Sequence, residues 1–497
     1  MKMADELFDQ ILKEKHIYIY GAGFIGKLLL KRLLSIGVCS DKIEFIVTSD
    51  FDETIIMGCK VNSVYDIEFY EGVIIIATEV CHHRNIINTL RDNNCLLKII
   101  TIDNELRRKM EFEYMNSKSV PDECDKIDVL IMTSDNYRAS GAFLCAAELC
   151  EELNMLGLKT YLVLPEYGEG EDLLDEKEIP YFYLPSVHWC CDIGDNESTL
   201  PDNQSAIDKL SEVIIEKKVK LIHNNTTYTY VGALAAQKCG LPYIWHLREN
   251  IEAQDKKFID KKYAVSLINE SNRVICVSNY IKNCYSFLDD NICSIVYDGI
   301  SLEHINLPCN KYPKKDVVKI VNVGVQMHLK GQEDIVKAGV FLKEAGIKFN
   351  VFFVGDNHIG YKKYLVKMIK DYELNDCFFF VGRTDNVYKY YQEADIAIIS
   401  SRSEAFGRTT IEAMCSGCLV IGARAAATEE LIINDYNGYL YEVGNVKELA
   451  NVIINTLCDE EKALALIQSG VDSGKEYNSY NNAEKIKKIY EKVLRGE

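Results

Sequence analysis

The sequence has little proline and no long apolar run. Only 8 of its 497 residues are Pro, so we expect few flexible linkers and a largely ordered chain. No apolar stretch approaches the ~18 residues that a membrane-spanning helix needs. The first residues, MKMADELFDQILKEKH, are amphipathic and acidic and lack the apolar core of a secretory signal. These features predict a cytoplasmic protein without a transmembrane segment, and they are compatible with peripheral membrane contact.

The sequence also lacks an excess of positive charge. It has 75 Asp and Glu against 56 Lys and Arg, a formal net charge of −19, which repels nucleic-acid backbones. We therefore expect no nucleic-acid partner. The 18 cysteines show no repeating framework, which favours a reducing compartment. Cys415 and Cys418 form a C-x-x-C without a second pair, so we predict no metal site.

Strand-like apolar runs alternate with helix-like segments in three successive blocks. The blocks open with HIYIYGAGFIGKLLLKRLL at 16–34, KIDVLIMTS at 126–134 and VKIVNVG at 318–324. Such alternation is typical of parallel α/β sheets, in which ligands bind at the carboxyl ends of the strands. A polar stretch around Pro121 separates the first block from the second. We predict a small Rossmann-like domain at 1–120 and two facing α/β domains, with a cleft between them, at 125–312 and 313–475.

The first block carries a glycine-rich turn. Gly21, Gly23 and Gly26 form G-x-G-x-x-G between a predicted strand and a predicted helix, which is the context of the dinucleotide-binding fingerprint. The acidic residue expected about 20 positions later is less clear, because Asp50 falls one or two residues past the second strand. Two interpretations therefore stay open, a nucleotide or NAD(P) site and a degenerate scaffold or interaction domain.

The strongest signal is at 403–430, where a strand is followed by a loop, a glycine turn and a helix. Gly407 lets the backbone approach a ligand, and a helix that begins near Arg408 points free N–H groups at it, which suits a diphosphate. Glu404 precedes the turn and Glu412 lies about one turn into the helix. Two carboxylates beside an anion are favourable when they accept hydrogen bonds from hydroxyls. The pattern predicts a diphosphate with polyol groups at both ends, and two surface glutamates at a helix cap are the alternative.

The same segment, SEAFGRTTIEAMCSGCLVIGARAAATEE, resembles glycosyltransferase family 4, whose members carry an E-x7-E motif with F-G in its middle, followed by E-A-M and a V-I-G strand. The resemblance covers most of 126–470 in the family's order and extends to HNNTTYTYVGALAAQKCGLPYIWHLRE, RVICVSNYI, VYDGIS, VNVGVQMHLKGQEDIVKA and VGRTDNVYKYYQEADIAI. It implies a GT-B fold, in which two Rossmann-like domains face each other, here preceded by the small N-terminal Rossmann-like α/β domain. It also implies that a C-terminal helix at 476–497 packs back on the acceptor-side domain.

The resemblance assigns roles to individual residues of this chain. It implies that Glu404 contacts the hydroxyls of the donor sugar and that Glu412 binds the donor ribose. Lys330 would neutralise the leaving diphosphate without a metal, and His246 would lie over the reacting sugar. Backbone contacts to sugar and phosphate are implied at Phe406, Gly407, Arg408, Thr409 and, from the other domain, Gly141, and acceptor contacts near Arg248 and Glu249.

This sequence departs from the family pattern at two places. Val325 stands where the family has an Arg, so phosphate neutralisation would fall more heavily on Lys330 or on Arg408. In the AAATEE segment at 425–430, this chain has alanines where many relatives have two glycines, so the close approach of the backbone to a ligand is affected there. Glu430 still matches the family's acidic residue.

The resemblance implies retaining transfer of a hexose or N-acetylhexosamine in polysaccharide biosynthesis. The donor would be a nucleotide-diphosphate sugar, with a UDP-sugar preferred, and the acceptor a glycan, lipid-linked sugar or other hydroxyl compound. No cofactor is expected for transfer. The family is thought to use a same-face substitution, and the sequence leaves that mechanism open. The alternative function is an NAD(P)-dependent sugar-nucleotide oxidoreductase or epimerase that uses GAGFIG, although the first block lacks a Tyr-x-x-x-Lys dyad.

Overall fold

The computed structural model describes residues 8, 10–48, 54–69, 71–93, 95–118, 120, 126–303, 305, 317–384 and 386–497. Asp50 and Pro121, on which two of the sequence-based expectations depend, lie outside the described residues. The chain forms two compact units. The first consists of Met1–Pro121 with Glu166–Glu171, and the second of Asp122–Pro165 with Asp172–Glu497. Among the described residues, no helix is both long enough and apolar enough to cross a bilayer.

The first unit is a Rossmann-like α/β domain. Its sheet has the strand order β3-β4-β2-β1-β5-β6, and every neighbouring pair except β3–β4 is parallel. Its strands are β1 (Ile17–Tyr20), β2 (Ile43–Val47), β3 (Ile55–Ile56), β4 (Cys59–Ser63), β5 (Val73–Ile76) and β6 (Lys98–Thr101). Its helices are α1 (Phe24–Ser35), α2 (Val80–Asp92) and α3 (Asn104–Ser117), with a short 3-10 turn at Ser40–Lys42.

Glycines set the turn between β1 and α1. Gly21 has φ +109°, and a Cβ there would lie 2.6 Å from Cγ2 of Thr78. A Cβ on Gly26 would lie 1.9 Å from the carbonyl oxygen of Gly21, whereas one on Gly23 would meet nothing within 4 Å. Larger residues are therefore excluded at Gly21, where the segment after β5 lies against the turn, and at Gly26, where the helix packs directly against the turn.

The second unit contains two parallel sheets. The first lobe has the strand order β15-β14-β12-β11-β7-β8-β9. Its strands are β7 (Val129–Met132), β8 (Thr160–Leu164), β9 (Tyr181–Tyr183), β10 (Cys190–Asp192), β11 (Leu221–Asn224), β12 (Tyr243–Leu247), β13 (Lys256–Phe258), β14 (Arg273–Cys276) and β15 (Cys293–Ile295), with β10 and β13 forming a separate antiparallel pair. Its helices are α4 (Gly141–Met155), α5 (Gly170–Glu176), α6 (Gln204–Glu216), α7 (Val231–Cys239), α8 (Lys261–Asn269) and α9 (Asn279–Cys284), with a 3-10 turn at Glu252–Gln254.

The second lobe has the strand order β18-β17-β16-β19-β20-β21, parallel throughout. Its strands are β16 (Val318–Val323), β17 (Phe349–Val354), β18 (Phe378–Gly382), β19 (Ile396–Ile399), β20 (Leu419–Ala423) and β21 (Tyr439–Tyr441). Its helices are α10 (Gln332–Glu344), α11 (Ile359–Asp371), α12 (Val387–Glu393), α13 (Arg408–Cys415), α14 (Thr428–Leu431), α15 (Val446–Thr456) and α16 (Glu460–Lys475), with 3-10 turns at His328–Lys330 and Asn375–Cys377. Central strands buried on both sides, such as the all-apolar β19, suit a sheet covered by helices on both faces.

The last helix, α17 (Ser479–Arg495), packs against α4 of the first lobe. Its amphipathic spacing buries Ile486, Tyr490 and Val493. The hydroxyl of Ser479 donates to Glu152 at 2.5 Å, and Nζ of Lys487 donates to the carbonyl of Leu156 at 2.8 Å. The final segment of the chain thus returns from the second lobe to the first.

Candidate active site

A cavity of about 720 Å³ lies between the two lobes of the second unit. Residues that follow strands form its walls on both sides: Ser134 and Asp135 come after β7, and Arg248 and Glu249 after β12. Gly324 and Gly355 follow β16 and β17 on the other side. The carboxyl ends of both sheets therefore meet at one cavity, as expected for ligand binding by open α/β sheets.

Helix α13 begins at this cavity. Gly407, its N-cap, has φ +106°, a conformation that favours glycine. The cavity wall includes every residue of the predicted backbone cradle, Phe406, Gly407, Arg408 and Thr409. The amide groups of the first helical turn have no partner within the helix. This end of α13 can therefore receive an anion.

Lys330 and Glu404 form an ion pair on the cavity wall. Nζ of Lys330 lies 2.6 Å from Oε1 of Glu404. The turn that carries Lys330 is tied to the end of β19, because the hydroxyl of Ser400 donates to the carbonyl of Lys330 at 2.7 Å. The Glu404 carbonyl accepts the Ala427 N–H at 3.1 Å. A cation and a carboxylate are thus fixed beside the start of α13.

Glu412 lies deeper in the same wall and is only 9% exposed. Burial raises the pKa of Glu412, and the nearby Arg408 guanidinium opposes that rise. Nε of Arg408 lies 3.8 Å from Oε1 of Glu412, and the Tyr391 hydroxyl donates to Oε2 at 3.4 Å. Both acids of the E-x7-E motif therefore line one cavity, on either side of the helix start.

Arg408 also joins the two lobes. Its guanidinium forms a bidentate pair with Glu148 of α4, at 2.7 Å and 2.9 Å, and donates to the carbonyl of Gly299 at 3.2 Å. Of the two cations that the sequence offered for phosphate neutralisation, Arg408 is thus engaged by a carboxylate of the other lobe. Glu148 was missed by the sequence reasoning, because a glutamate in the middle of a helix carries no local signal of its partner.

The first lobe contributes Gly141 to the cavity, together with the acids Asp135 and Glu249. Gly141 begins α4, and a Cβ added to it would meet nothing within 4 Å. Burial raises the pKa of Glu249 to about 7, against the hydrogen bond that its carboxylate accepts from the Thr227 N–H at 3.0 Å. Burial also raises the pKa of Asp135, which accepts a hydrogen bond from Ser140 at 3.0 Å.

His246 is fully buried and lies behind this wall. Among the described residues that line the cavity, its neighbours Arg248 and Glu249 are present and His246 is not. Nδ1 of His246 lies 3.2 Å from Nε2 of His223 and 3.2 Å from Nη2 of Arg248. The structure therefore places His246 in a buried polar cluster next to the wall.

The two departures from the family pattern have different structural outcomes. Val325 is 41% exposed and lines the cavity, whereas Gln326 is 1% exposed and donates to the carbonyl groups of Gly324 and Gly355. In the AAATEE segment, Ala426 has φ +52°. The backbone thus keeps a left-handed conformation that glycine adopts more easily.

Glu430 connects the second lobe to the start of α9 in the first. Its carboxylate accepts hydrogen bonds from the N–H groups of Asn279 and Tyr280, at 2.9 Å and 2.6 Å, and from the Tyr297 hydroxyl at 2.8 Å. Nearby, the Ser278 hydroxyl donates to the carbonyl of Ala405 at 2.5 Å. The first lobe thereby holds the loop that carries Glu404.

Two protein families match the second unit. Residues 139–304 match Glycosyltransferase Family 4, and residues 310–472 match Glycosyl transferases group 1. An uncharacterized glycosyltransferase of Methanocaldococcus jannaschii is 29% identical over 298 residues, which span 57% of this chain and 79% of that protein. A UDP-Gal:alpha-D-GlcNAc-diphosphoundecaprenol alpha-1,3-galactosyltransferase of Escherichia coli is 22% identical over 348 residues, 66% of this chain and 87% of that protein.

Solved structures share the fold. HepE of Anabaena, in complex with UDP and glucose, superimposes with a TM-score of 0.62 and 20% identity, covering 73% of this chain and 99% of its own. A glycosyltransferase of Rickettsia africae gives a TM-score of 0.64 with 20% identity over 75% of this chain and all of its own. The expected GT-B arrangement of two Rossmann-like lobes is confirmed. With both lobes matched in sequence and in fold, the chain belongs to the family 4 glycosyltransferases.

Proposed function

We propose that this protein is a retaining, metal-independent glycosyltransferase that moves a hexose or N-acetylhexosamine from a UDP-sugar to a hydroxyl acceptor. The observation that carries the proposal is the convergence of Lys330, Glu404, Glu412 and the start of α13 on one cavity between the lobes. This set combines a phosphate cradle with acids on either side of it, which suits a sugar–diphosphate–ribose ligand.

The donor would lie along the start of α13. The free N–H groups at Gly407 and Thr409 would hold the diphosphate, with Gly141 approaching it from the first lobe. Glu412 would accept hydrogen bonds from the ribose hydroxyls and Glu404 from the sugar hydroxyls. The buried position of Glu412 supports this role, since a ribose hydroxyl would supply the hydrogen bonds that a buried carboxylate requires.

Transfer would proceed by same-face substitution. The bond from the anomeric carbon to the phosphate oxygen breaks, and the diphosphate leaves with the electron pair. The acceptor oxygen attacks from the same face, and its proton passes to the departing phosphate. Both candidate cations, Lys330 and Arg408, are paired with a carboxylate. Lys330 is the stronger candidate for stabilising the leaving group, because its side chain is 26% exposed, whereas the Arg408 guanidinium is 13% exposed and is held by two bonds to Glu148.

The names of similar proteins support a UDP-sugar donor and a glycan or lipid-linked acceptor. The HepE complex contains UDP and glucose, and the Escherichia coli relative is named as a galactosyltransferase that uses UDP-Gal and a diphosphoundecaprenol-linked acceptor. Glu249 and Arg248 line the cavity on the side of the first lobe, which in this proposal is the side from which the acceptor hydroxyl approaches. We propose that these two residues contact the acceptor.

The first unit has a separate role in this proposal. Residues 1–120 lie outside both family matches, which fall within 139–472, and the oxidoreductase alternative gains no support from the comparisons. We assign 1–120 to the Rossmann-like domain, 125–312 to the acceptor side, 313–475 to the donor side and 476–497 to the returning helix. A nucleotide at Gly21, Gly23 and Gly26, like the cytoplasmic location favoured by the cysteine content, stays a prediction.

The experiment is a donor screen with three readouts. Thermal shifts with UDP-, GDP-, ADP- and CDP-sugars identify the base, release of nucleoside diphosphate measures turnover, and NMR of the product gives the anomeric configuration. We expect stabilisation and turnover with a UDP-sugar, a retained anomer and no loss of activity in EDTA. An inverted product or a chelator-sensitive rate would overturn the proposed mechanism. A change in NAD(P)H absorbance without sugar transfer would instead support the alternative hypothesis of an oxidoreductase.

A further inference from the structure

The two segments of chain that join the lobes pass the same edge of the first lobe. One segment follows Ile300, which comes just after β15, and the other contains Tyr477 and precedes α17. The Ile300 N–H donates to the carbonyl of Tyr477 at 3.0 Å, and the Ser479 N–H donates to the carbonyl of Ile300 at 3.0 Å. Because β15 is an edge strand, any rotation of one lobe against the other must occur about this edge, which we call the hinge edge.

Contacts between the lobes near the hinge edge are buried. Ser278, which follows the neighbouring strand β14, is 0% exposed, and its hydroxyl donates to the carbonyl of Ala405 at 2.5 Å. The Arg408 side chain is 13% exposed and donates at 3.2 Å to the carbonyl of Gly299, the residue before Ile300. These contacts hold the lobes together on the hinge side of the cavity.

A different contact joins the lobes away from the hinge edge. The hydroxyl of Tyr137, after β7, donates to Oδ2 of Asp356, after β17, at 2.6 Å. Cζ of Arg383 in the second lobe lies 5.1 Å from the centroid of the Tyr137 ring, within reach of a cation–π interaction. The strand order β15-β14-β12-β11-β7 puts β7 about 19 Å across the sheet from the hinge edge, at ~4.8 Å per strand. We call Tyr137, Asp356 and Arg383 the clasp.

The candidate donor residues lie between the clasp and the hinge-side contacts. In the second lobe, β16 and β19 lie between β17, which precedes Asp356, and β20, which precedes Glu430. Lys330 follows β16, Glu404 follows β19, and both line the cavity together with Asp356 and Arg383. Opening of the clasp about the hinge edge therefore uncovers the part of the cavity that contains Lys330 and Glu404.

The clasp is more exposed than the contacts near the hinge edge. Tyr137 is 38% exposed, and Arg383 is also exposed. Exposed charged contacts stabilise less than buried ones, and the least stable contacts of a structure open first. Of the interlobe contacts named here, the clasp is therefore the one that opens first. It consists of direct contacts between side chains of the protein, so it forms without a ligand to bridge the lobes.

We propose that the clasp is a gate, which holds the lobes closed and must open before the nucleotide of the donor enters the cavity. This inference rests on the proposed function, because it takes a nucleotide sugar as the molecule that enters. It has a kinetic consequence. If opening precedes binding, the observed binding rate at high ligand concentration equals the opening rate. If binding comes first, that rate is set mainly by closing, which loss of the clasp would not raise.

The principal variant is Tyr137→Phe, which removes the hydroxyl and keeps the ring. With UDP as the probe in stopped-flow fluorescence, we expect the binding rate at saturating UDP to rise about tenfold, as for loss of one hydrogen bond to a charged group. Tyr436→Phe is the matched control, since Tyr436 is 56% exposed and belongs to neither the clasp nor the cavity wall. It should bind UDP at the wild-type rate.

A double-variant series separates the clasp from unrelated effects of each substitution. Asp356→Ala should raise the saturating rate about as much as Tyr137→Phe does, because either change removes the same hydrogen bond. The double variant should show no further rise. Additive increases would mean that the two side chains act independently, and would overturn the clasp.

Amide hydrogen exchange of the protein alone tests the gate without reference to any ligand. Exchange at residues 136–141 and 355–358 should be faster in Tyr137→Phe than in wild type, and unchanged in Tyr436→Phe. Equal exchange in a folded Tyr137→Phe protein, or an unchanged saturating rate for UDP, would overturn the inference. If wild type does not bind UDP, the proposed donor is wrong, and the exchange comparison alone then decides whether the clasp holds the lobes closed.

Discussion

Arg408 and Glu148 hold the two lobes together by a bidentate ion pair, with N···O distances of 2.7 Å and 2.9 Å. Both side chains are largely shielded from solvent, with 13% and 15% of their surface exposed. Breaking one member of a buried pair leaves an uncompensated charge, which is more damaging than removing both members. The pair therefore lends itself to a double-mutant test.

We expect Glu148→Ala to lower the free energy of unfolding by up to about 3–5 kcal/mol, because the buried Arg408 guanidinium loses its bidentate partner and keeps only the Glu412 carboxylate, 3.8 Å away. The double variant Glu148→Met with Arg408→Met should recover much of this loss. Urea denaturation of the single and double variants measures the coupling. Additive losses in the double variant would contradict this account.

Glu404→Gln and Lys330→Ala should each lower turnover about a hundredfold, since removing one charge-stabilising contact costs about 3 kcal/mol of transition-state stabilisation. Because Nζ of Lys330 lies 2.6 Å from Oε1 of Glu404, the two effects should not be additive. The prediction is tested by measuring kcat at saturating donor for each variant, with circular dichroism as a check on folding. Wild-type turnover in either variant would remove that residue from the proposed machinery.

Glu430→Ala should loosen the contact between the second lobe and α9. The carboxylate caps the N–H groups of Asn279 and Tyr280, and loss of a helix N-cap costs about 0.5–2 kcal/mol. Hydrogen exchange should accelerate at residues 279–284, and turnover should fall because the Glu404 loop is held by the same region. The matched control is Glu429→Ala, because Glu429 is exposed. Equal rates of amide hydrogen exchange at residues 279–284 in the two variants would contradict the capping role.

Ala426→Gly should stabilise the protein by about 0.5–1 kcal/mol. Ala426 has φ +52°, which is unfavourable for a residue with a Cβ and free for glycine. Ala425→Gly is the control, because that position is not among the residues with positive φ and should lose stability through the more flexible unfolded chain. Thermal and urea unfolding compare the two, and destabilisation by Ala426→Gly would show that the conformation carries no strain.

Glu249 should make stability depend on pH. Burial raises the pKa of its carboxyl from 4.5 to about 7, so the folded protein binds this proton more tightly than the unfolded chain does. The contribution of Glu249 to the free energy of unfolding should therefore fall as pH rises from about 4.5 to about 7, and then stay constant. Glu249→Gln should remove this slope, whereas Glu252→Gln, at an exposed neighbouring position, should keep it. Parallel pH profiles for Glu249→Gln and wild type would contradict the assignment.

The sequence by itself determined the α/β fold class, the two-lobed arrangement and the strand–turn–helix segment of the second lobe that lines the cavity. Strand periodicity and glycine turns act over a few neighbouring residues, and Glu404, Gly407 and Glu412 lie within one short strand–turn–helix segment. Their shared location follows from local geometry. The same reasoning placed Gly21 and Gly26 at a tight strand-to-helix turn, where the structure leaves no room for a Cβ.

Only the tertiary structure decided which distant side chains pair. Arg408 and Glu148 are 260 residues apart, Tyr490 and His223 are 267 apart, and Glu430 and Tyr280 are 150 apart. It also placed His246 behind the cavity wall and gave Glu249 its raised pKa, since burial depends on every element packed around a group. A local pattern specifies the backbone turn that presents a residue, whereas its partner and its solvation arise from the packing of one lobe against the other.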